Sequence, residues 1–249
     1  MFEIGGKILG AEHMKEMYNY LTKNNREVLK EYEKGLVAVR DITKATNLDR
    51  HYFYNTIAEI DPHITERRKA HRLEIIKDLI KQIELCIPFE YIDINFDELF
   101  GKDSGFKDKT AKYQKTRLTN ILVKNNYKPE HFKFITIERT LTMWYRIYLM
   151  SQRILKGEET GYRIAKNYNV NPSEVYNLRD YMAENDNRIL SAESLEQEQQ
   201  FLKNVKMFED YKAGSSIEDL ESKYNLESKY IKLIIESLDI VDVMIHDKK

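Results

Sequence analysis

Three windows of this chain set an asparagine into the same spacing of apolar residues, and that spacing restricts what each window can fold into. Residues 161–182 place Ile164 five positions before Asn169, Ala165 four before and Tyr168 one before; Val170, Val175 and Leu178 follow at one, six and nine positions after it. Residues 217–238 repeat the frame with Leu220, Tyr224, Asn225, Leu226, Ile231 and Ile234. Residues 39–57 give Ile42, Asn47, Leu48 and Phe53, with Thr46 and Thr56 at positions that are apolar in the frame. The apolar spacing on each side of the asparagine is that of one face of a helix. The asparagine between the two apolar faces suits a sharp turn whose central residue holds a positive φ. Glycine tolerates that conformation best, and asparagine better than most other residues. With 42% apolar residues and 17 Asn in the chain, roughly 0.2 full windows are expected by chance, so two complete matches and one partial match exceed noise.

The frame resembles the helix-turn-helix superfamily of bacterial regulators, sigma factors and recombinase DNA-binding domains, over 22 residues in the clearest copy. The resemblance implies two helices crossing through a turn of about three or four residues, with a small residue where they approach most closely. Ala165 stands at that place, and Thr43 and Glu221 at the equivalent ones. Lysine recurs 13 residues before each turn asparagine, at Lys34, Lys156 and Lys212, with Gly35, Gly157 and Gly214 just after. A fourth window, Ile121 to Ile135, has Asn126 in the turn slot, followed by Tyr127 and Phe132, but Asn125 is polar where the frame is apolar.

In such a motif the second helix enters the major groove and reads bases with its early exposed residues. In the first copy these are Asp49, Arg50, His51, Tyr54 and Asn55; in the second they are Asn171, Pro172, Ser173, Tyr176 and Asn177. Asparagine can bond adenine N6 and N7 together, and arginine can bond guanine O6 and N7. Arg40, Lys44, Arg163 and Lys166, on the first helices, suit phosphate contacts that position without specifying sequence. The third copy offers Glu227, Ser228, Lys229 and Lys232 within an acidic segment, which fits a dimerisation or partner surface better than a base reader. Ordinary helical hairpins that serve only for packing are the plain alternative.

Charge is unevenly spread. The chain has 40 basic and 41 acidic residues, yet residues 101–156 carry 13 Lys/Arg against 4 Asp/Glu, and residues 192–249 carry 8 against 13. A phosphate backbone would prefer the middle and be repelled by the end. Nine Gly and four Pro beside 17 Tyr and ten Phe suit a helical protein, and no parallel-strand pattern is found. The expected fold is all-α, a multi-helix protein with two to four helix-turn-helix units. Three segments are expected: an N-terminal helical domain over 1–100, a basic central domain over 101–190 and an acidic C-terminal domain over 191–249. Further helices are read over 11–33, 65–87 (with a basic start at Arg67, Arg68, Lys69 and Arg72), 134–155 and 193–212. Residues 184–193 read as a linker, and the alternation over 240–245 as a strand, a wing or an oligomer contact.

Chemistry-bearing patterns are sparse. No apolar run approaches about 18 residues, so no membrane span is expected. The N-terminus lacks a basic region followed by an apolar stretch, so no secretion signal is expected. The single cysteine, Cys86, excludes an intrachain disulfide and fits a reducing cytoplasm; its neighbours Ile83, Leu85 and Ile87 suggest a buried, inert thiol. Six scattered histidines give no metal-ligand spacing, and no phosphate-loop, dinucleotide or nucleophile-elbow motif is present. Neither a cofactor nor an enzymatic activity is expected. The expectation is a cytoplasmic, sequence-specific DNA-binding regulator, a repressor or activator of the phage or mobile-element type. Its partner would be double-stranded DNA, with a homodimer through the C-terminal region and RNA polymerase or another regulatory protein as a further contact. The alternatives are a helical protein–protein interaction scaffold and the DNA-binding subunit of a replication, transposition or sigma-like complex.

Overall fold

Each of the three windows folds as its spacing demands. In the computed structural model, which describes residues 2–127, 138–190 and 195–246, α2 (Val39–Thr46), α8 (Gly161–Tyr168) and α11 (Ile217–Tyr224) are eight-residue helices. They end at Asn47, Asn169 and Asn225, with φ of 54°, 52° and 50°. The second helices, α3 (Arg50–Ile60), α9 (Pro172–Glu184) and α12 (Ser228–His246), begin three residues after each asparagine. Each pair packs on the helix before it: α1 (Phe2–Lys34), α7 (Glu138–Lys156) and α10 (Leu195–Lys212). Those helices end at the three spaced lysines, and Gly35, Gly157 and Gly214 follow with φ of 89°, 65° and 103°. The Lys–Gly signature is thus a helix stop. Glycine takes the positive φ, and the cation sits near the negative end of the helix dipole. The repeating element is a three-helix unit, larger than the two-helix frame in the sequence.

The apolar frame is buried. Ile164, Ala165 and Val175 close on Met150 of α7, with Tyr168, Val170 and Leu178 around them. Leu220, Ile231 and Ile234 are buried in a larger cluster, with Tyr224 and Leu226 packed at its edge. Ile42, Leu48 and Phe53 pack with Met17, Leu21 and Tyr32. The two threonine departures are satisfied internally: Thr46 Oγ1 donates to the Ile42 carbonyl at 2.9 Å, and fully buried Thr56 donates to Met14 Sδ at 3.6 Å. Neither hydroxyl is left without a partner, so neither penalises the core.

Among the described residues there are twelve α-helices and no strand; the chain is all-α. It divides into two compact units, Met1–Leu79 with Ile94–Lys128, and Ile80–Asp93 with Pro129–Lys249. The first contains the first helix-turn-helix, most of α4 (Ile64–Glu84), α5 (Phe96–Phe100) and α6 (Ala111–Lys124). Within it the Glu98 carbonyl fills the space where a side chain on Gly35 would stand, and Lys102 N–H donates to the Leu36 carbonyl at 2.9 Å. Phe106 stacks on Phe100 at 4.1 Å and on Phe96 at 5.1 Å. The second unit contains both other helix-turn-helices. Its core centres on Trp144 and Tyr145 of α7, and α12 packs on both α7 and α10. Buried Glu198 accepts the Ile189 N–H at 2.8 Å, and buried Asn204 donates to the Leu85 carbonyl at 2.7 Å. The first unit carries 22 Lys/Arg against 17 Asp/Glu and the second 18 against 24, so the two have opposite net charge.

Several expectations change. α1 is interrupted at residues 23–26, where Asn24, Asn25 and Arg26 have φ of 49°, 55° and 63°. α4 stops at Glu84, and Cys86 has φ 55°. The Cys86 thiol is buried, and burial pushes its pKa up to about 12. In the stretch read as a linker, Ile189 and Leu190 are core residues. Residues 240–245 belong to α12, so they form neither strand nor wing. Asn126 has a left-handed φ of 63°, but the rest of that fourth window, from residue 128 on, lies outside the described residues. Among the described residues no helix is long and apolar enough to cross a membrane.

Candidate nucleic-acid interface

On α3 the buried side chains are Phe53, Thr56 and Ile57, which fixes the opposite face outward. That face presents Arg50, His51, Tyr54 and Asn55, all exposed, with the Tyr54 ring 46% accessible. The His51 ring rests on Tyr52, with centroids 3.8 Å apart. Arg40 and Lys44 of α2 are exposed in the same unit. The one acid on α2, Asp41, is occupied at the helix start, where it accepts the Ala38 N–H at 3.0 Å. Among the described residues Arg40, Lys44 and Arg50 make no ion pair, so their charge is available to a partner.

The second copy is less open. Asn171 and Ser173 build the start of α9: Asn171 Oδ1 accepts the Ser173 N–H at 3.0 Å and the Ser173 hydroxyl at 2.9 Å. Glu174 completes the capping box by accepting the Asn171 N–H at 3.1 Å. Both residues thus have a structural role that needs no ligand. Tyr176 lies over Gly161, close enough that a Cβ there would stand 2.7 Å from the ring. Its other neighbour is the Arg179 guanidinium, 5.2 Å from the ring centroid. Asn177 is exposed beside it. Arg163 stands 4.0 Å from Glu159, which also pairs with Arg153 and accepts from Asn167, whereas exposed Lys166 makes no ion pair among the described residues. α9 further exposes Glu174, Asp180 and Glu184, and Arg179 pairs with Asp180 at 3.1 Å. The twelve sequence-selected residues therefore fall into two groups in separate units, six in each.

The third copy turns its second helix inward. Ile231, Ile234, Leu238 and Val241 of α12 are buried, and Ser228 N–H donates to Glu221 Oε1 at 2.6 Å. Glu221, at the place the frame reserves for a small residue, is thus a cap for the next helix. Lys229 and Lys232 are exposed, with the Lys229 ammonium 4.7 Å from the Tyr230 ring centroid.

Sequence spacing did not separate the basic residues that are neutralised from those that are not. Arg67 is held by Glu33 and Asp61, each at 2.6 Å, and these bonds raise its pKa and lower that of Asp61. Among the described residues its neighbours Arg68 and Arg72 have no carboxylate partner, and the sequence marked them only as part of the basic start of this helix, four residues apart on one face. Architecture and exposed face together define the class: helical units built on helix-turn-helix pairs, the first with an open second helix whose Arg50 makes no ion pair among the described residues, although Asp49 and Glu59 are exposed on the same helix and its cap. Comparisons with known protein families, curated proteins and solved structures returned no match.

Proposed function

We propose that this protein is a sequence-specific DNA-binding regulator that reads duplex DNA through α3. The observation that carries this reading is the outer face of α3. Arg50, His51, Tyr54 and Asn55 stand exposed at the early positions of a second helix, in the unit with net positive charge. Arg and Asn there suit base edges, and Arg40 and Lys44 beside them suit phosphates. The second copy supplies the same Tyr–Asn pair at Tyr176 and Asn177, but its acidic surroundings fit a weaker auxiliary contact. Such a module would add affinity through linkage. Association of two chains through the C-terminal region is supported by exposed Ile240, Val243 and Met244 on α12.

The test is selection from a random-sequence duplex pool, followed by mobility-shift titration of the enriched duplex. A defined motif should emerge. Asn55→Ala should relax preference at one position, losing about 1–3 kcal/mol of discrimination there, while Lys44→Ala should weaken all duplexes alike. Absence of duplex binding at low salt would sink the reading. Binding without enrichment of any motif would reduce it to an architectural role.

A further inference from the structure

Arg68 and Arg72 stand one turn apart on α4, and backbone carbonyls rather than carboxylates hold them. Arg68 donates through Nη1 to the carbonyls of Tyr32 and Val37, the latter at 2.9 Å, and its guanidinium stacks on the Tyr32 ring at 4.2 Å. Arg72 donates through Nη1 to the Leu99 carbonyl at 3.0 Å. Arg117 of α6 covers the ring of the next residue, Phe100, at 5.4 Å. None of the three makes an ion pair among the described residues. Burial and then the charge of Arg117 lower the pKa of Arg72; burial, opposed by Tyr32, and then the charge of Arg72 lower that of Arg68. The Tyr32 ring under Arg68 packs edge-on against Phe53 at 4.9 Å, and Phe53 packs edge-on against Tyr54 of α3 at 5.4 Å. Ring contacts link Tyr54 to Arg68, one helical turn separates Arg68 from Arg72, and the adjacent Leu99 and Phe100 take Arg72 and Arg117, so by contact the groups follow one another in a row.

Carboxylates are at hand on both sides of this row. Arg67 takes two of them, and His71 Nε2 lies 2.7 Å from Glu98 Oε2. The three guanidinium groups have no carboxylate partner among the described residues, and an anion shared between them would complete them. The carbonyl and ring contacts fix Arg68 and Arg72 while using only one nitrogen of each as donor. The remaining N–H donors keep the planar fork that matches phosphate oxygens.

We propose that Arg68, Arg72 and Arg117 form a phosphate track that grips the backbone of duplex DNA alongside the bases facing Tyr54 and Asn55. This inference rests on the reading of α3 given above. The test compares the wild type with Arg117→Gln, Arg72→Gln/Arg117→Gln and Asn55→Ala in two assays: affinity for one fluorescent duplex across a salt series, and selection from the random-sequence duplex pool. Arg117→Gln removes a single ring contact at an exposed position, so it keeps the fold, as a circular-dichroism melt will register. The slope of log affinity against log salt should become shallower by about 0.9 for the single variant and about 1.8 for the double. The motif selected from the pool should not change. Unaltered slopes in Arg117→Gln and the double variant, with Asn55→Ala still losing sequence preference, overturn the track and leave the α3 reading standing. No duplex binding by the wild type overturns both. Should the double variant fail to fold, the slope of Arg117→Gln decides alone.

Discussion

At the scale of single residues, the turn asparagines do the most with the least. Asn47, Asn169 and Asn225 each hold a left-handed φ that a β-branched residue adopts only under strain. Asn169→Gly should therefore change stability by no more than about 0.5 kcal/mol, whereas Asn169→Val should cost about 1–2 kcal/mol, measured by denaturant unfolding. Equal tolerance of both would mean that backbone conformation does not limit this turn. These turns were legible in the sequence because positive φ is a local demand met by a local residue type. The break at Asn24 and Asn25 uses the same chemistry, yet it reads as continuous helix because Leu21, Val28 and Leu29 keep near-helical spacing across it. Long-range charge compensation was not legible. Arg163 has Glu159 four residues before it, a local spacing that the sequence does show, whereas Lys166 has no such neighbour. Arg67 finds its partner Glu33 from 34 residues away.

At the scale of elements, the recurring object is a helix stopped by glycine and covered by a helix-turn-helix pair. Two short helices alone would leave the frame's apolar side exposed; the preceding helix closes it. The joints between elements differ from copy to copy. In the third unit Asp210 of α10 takes Lys223 Nζ and the Tyr224 hydroxyl, both at 2.6 Å, and these bonds hold its carboxyl below the usual range. In the first unit Gly35 carries a second duty, since the Glu98 carbonyl occupies the place of a Cβ at 2.1 Å. Gly157 has the same role as a stop with nothing within 4 Å. Gly157→Ala should accordingly cost about 1 kcal/mol from backbone strain alone. Gly35→Ala should cost about 3 kcal/mol, because overpacking against α5 adds to the strain. Thermal melts of the two variants check the difference; similar losses would show that the approach of Glu98 to the stop of α1 contributes little. The Lys–Gly spacing was readable, but the close approach was not, because it joins residues 35 and 98.

At the scale of the whole molecule, composition suggested a basic middle and an acidic end. The long-range packing of α5 on the stop of α1 instead places residues 101–127 with the N-terminal unit and residues 138–156 with the acidic one. Positive net charge and the open face of α3 thereby fall in the same unit, and on the proposed reading a phosphate backbone would favour that unit over the other. The acidic unit then needs a different task. Ile240, Val243 and Met244 are 36%, 49% and 40% accessible and share one face of α12 at helical spacing. A second copy of the same face would cover them in a two-fold pair and would place two copies of α3 in one assembly. Sedimentation equilibrium at micromolar concentration should then give the mass of two chains, and Val243→Glu should give one. Val243 is exposed, so its melt should stay within about 0.5 kcal/mol of the wild type. Duplex affinity should fall with dissociation, by about 100-fold when the two half-sites are bound together, while the sequence preference of each α3 is retained. A wild type that sediments as a single chain would remove the pair and leave α3 to read an isolated half-site.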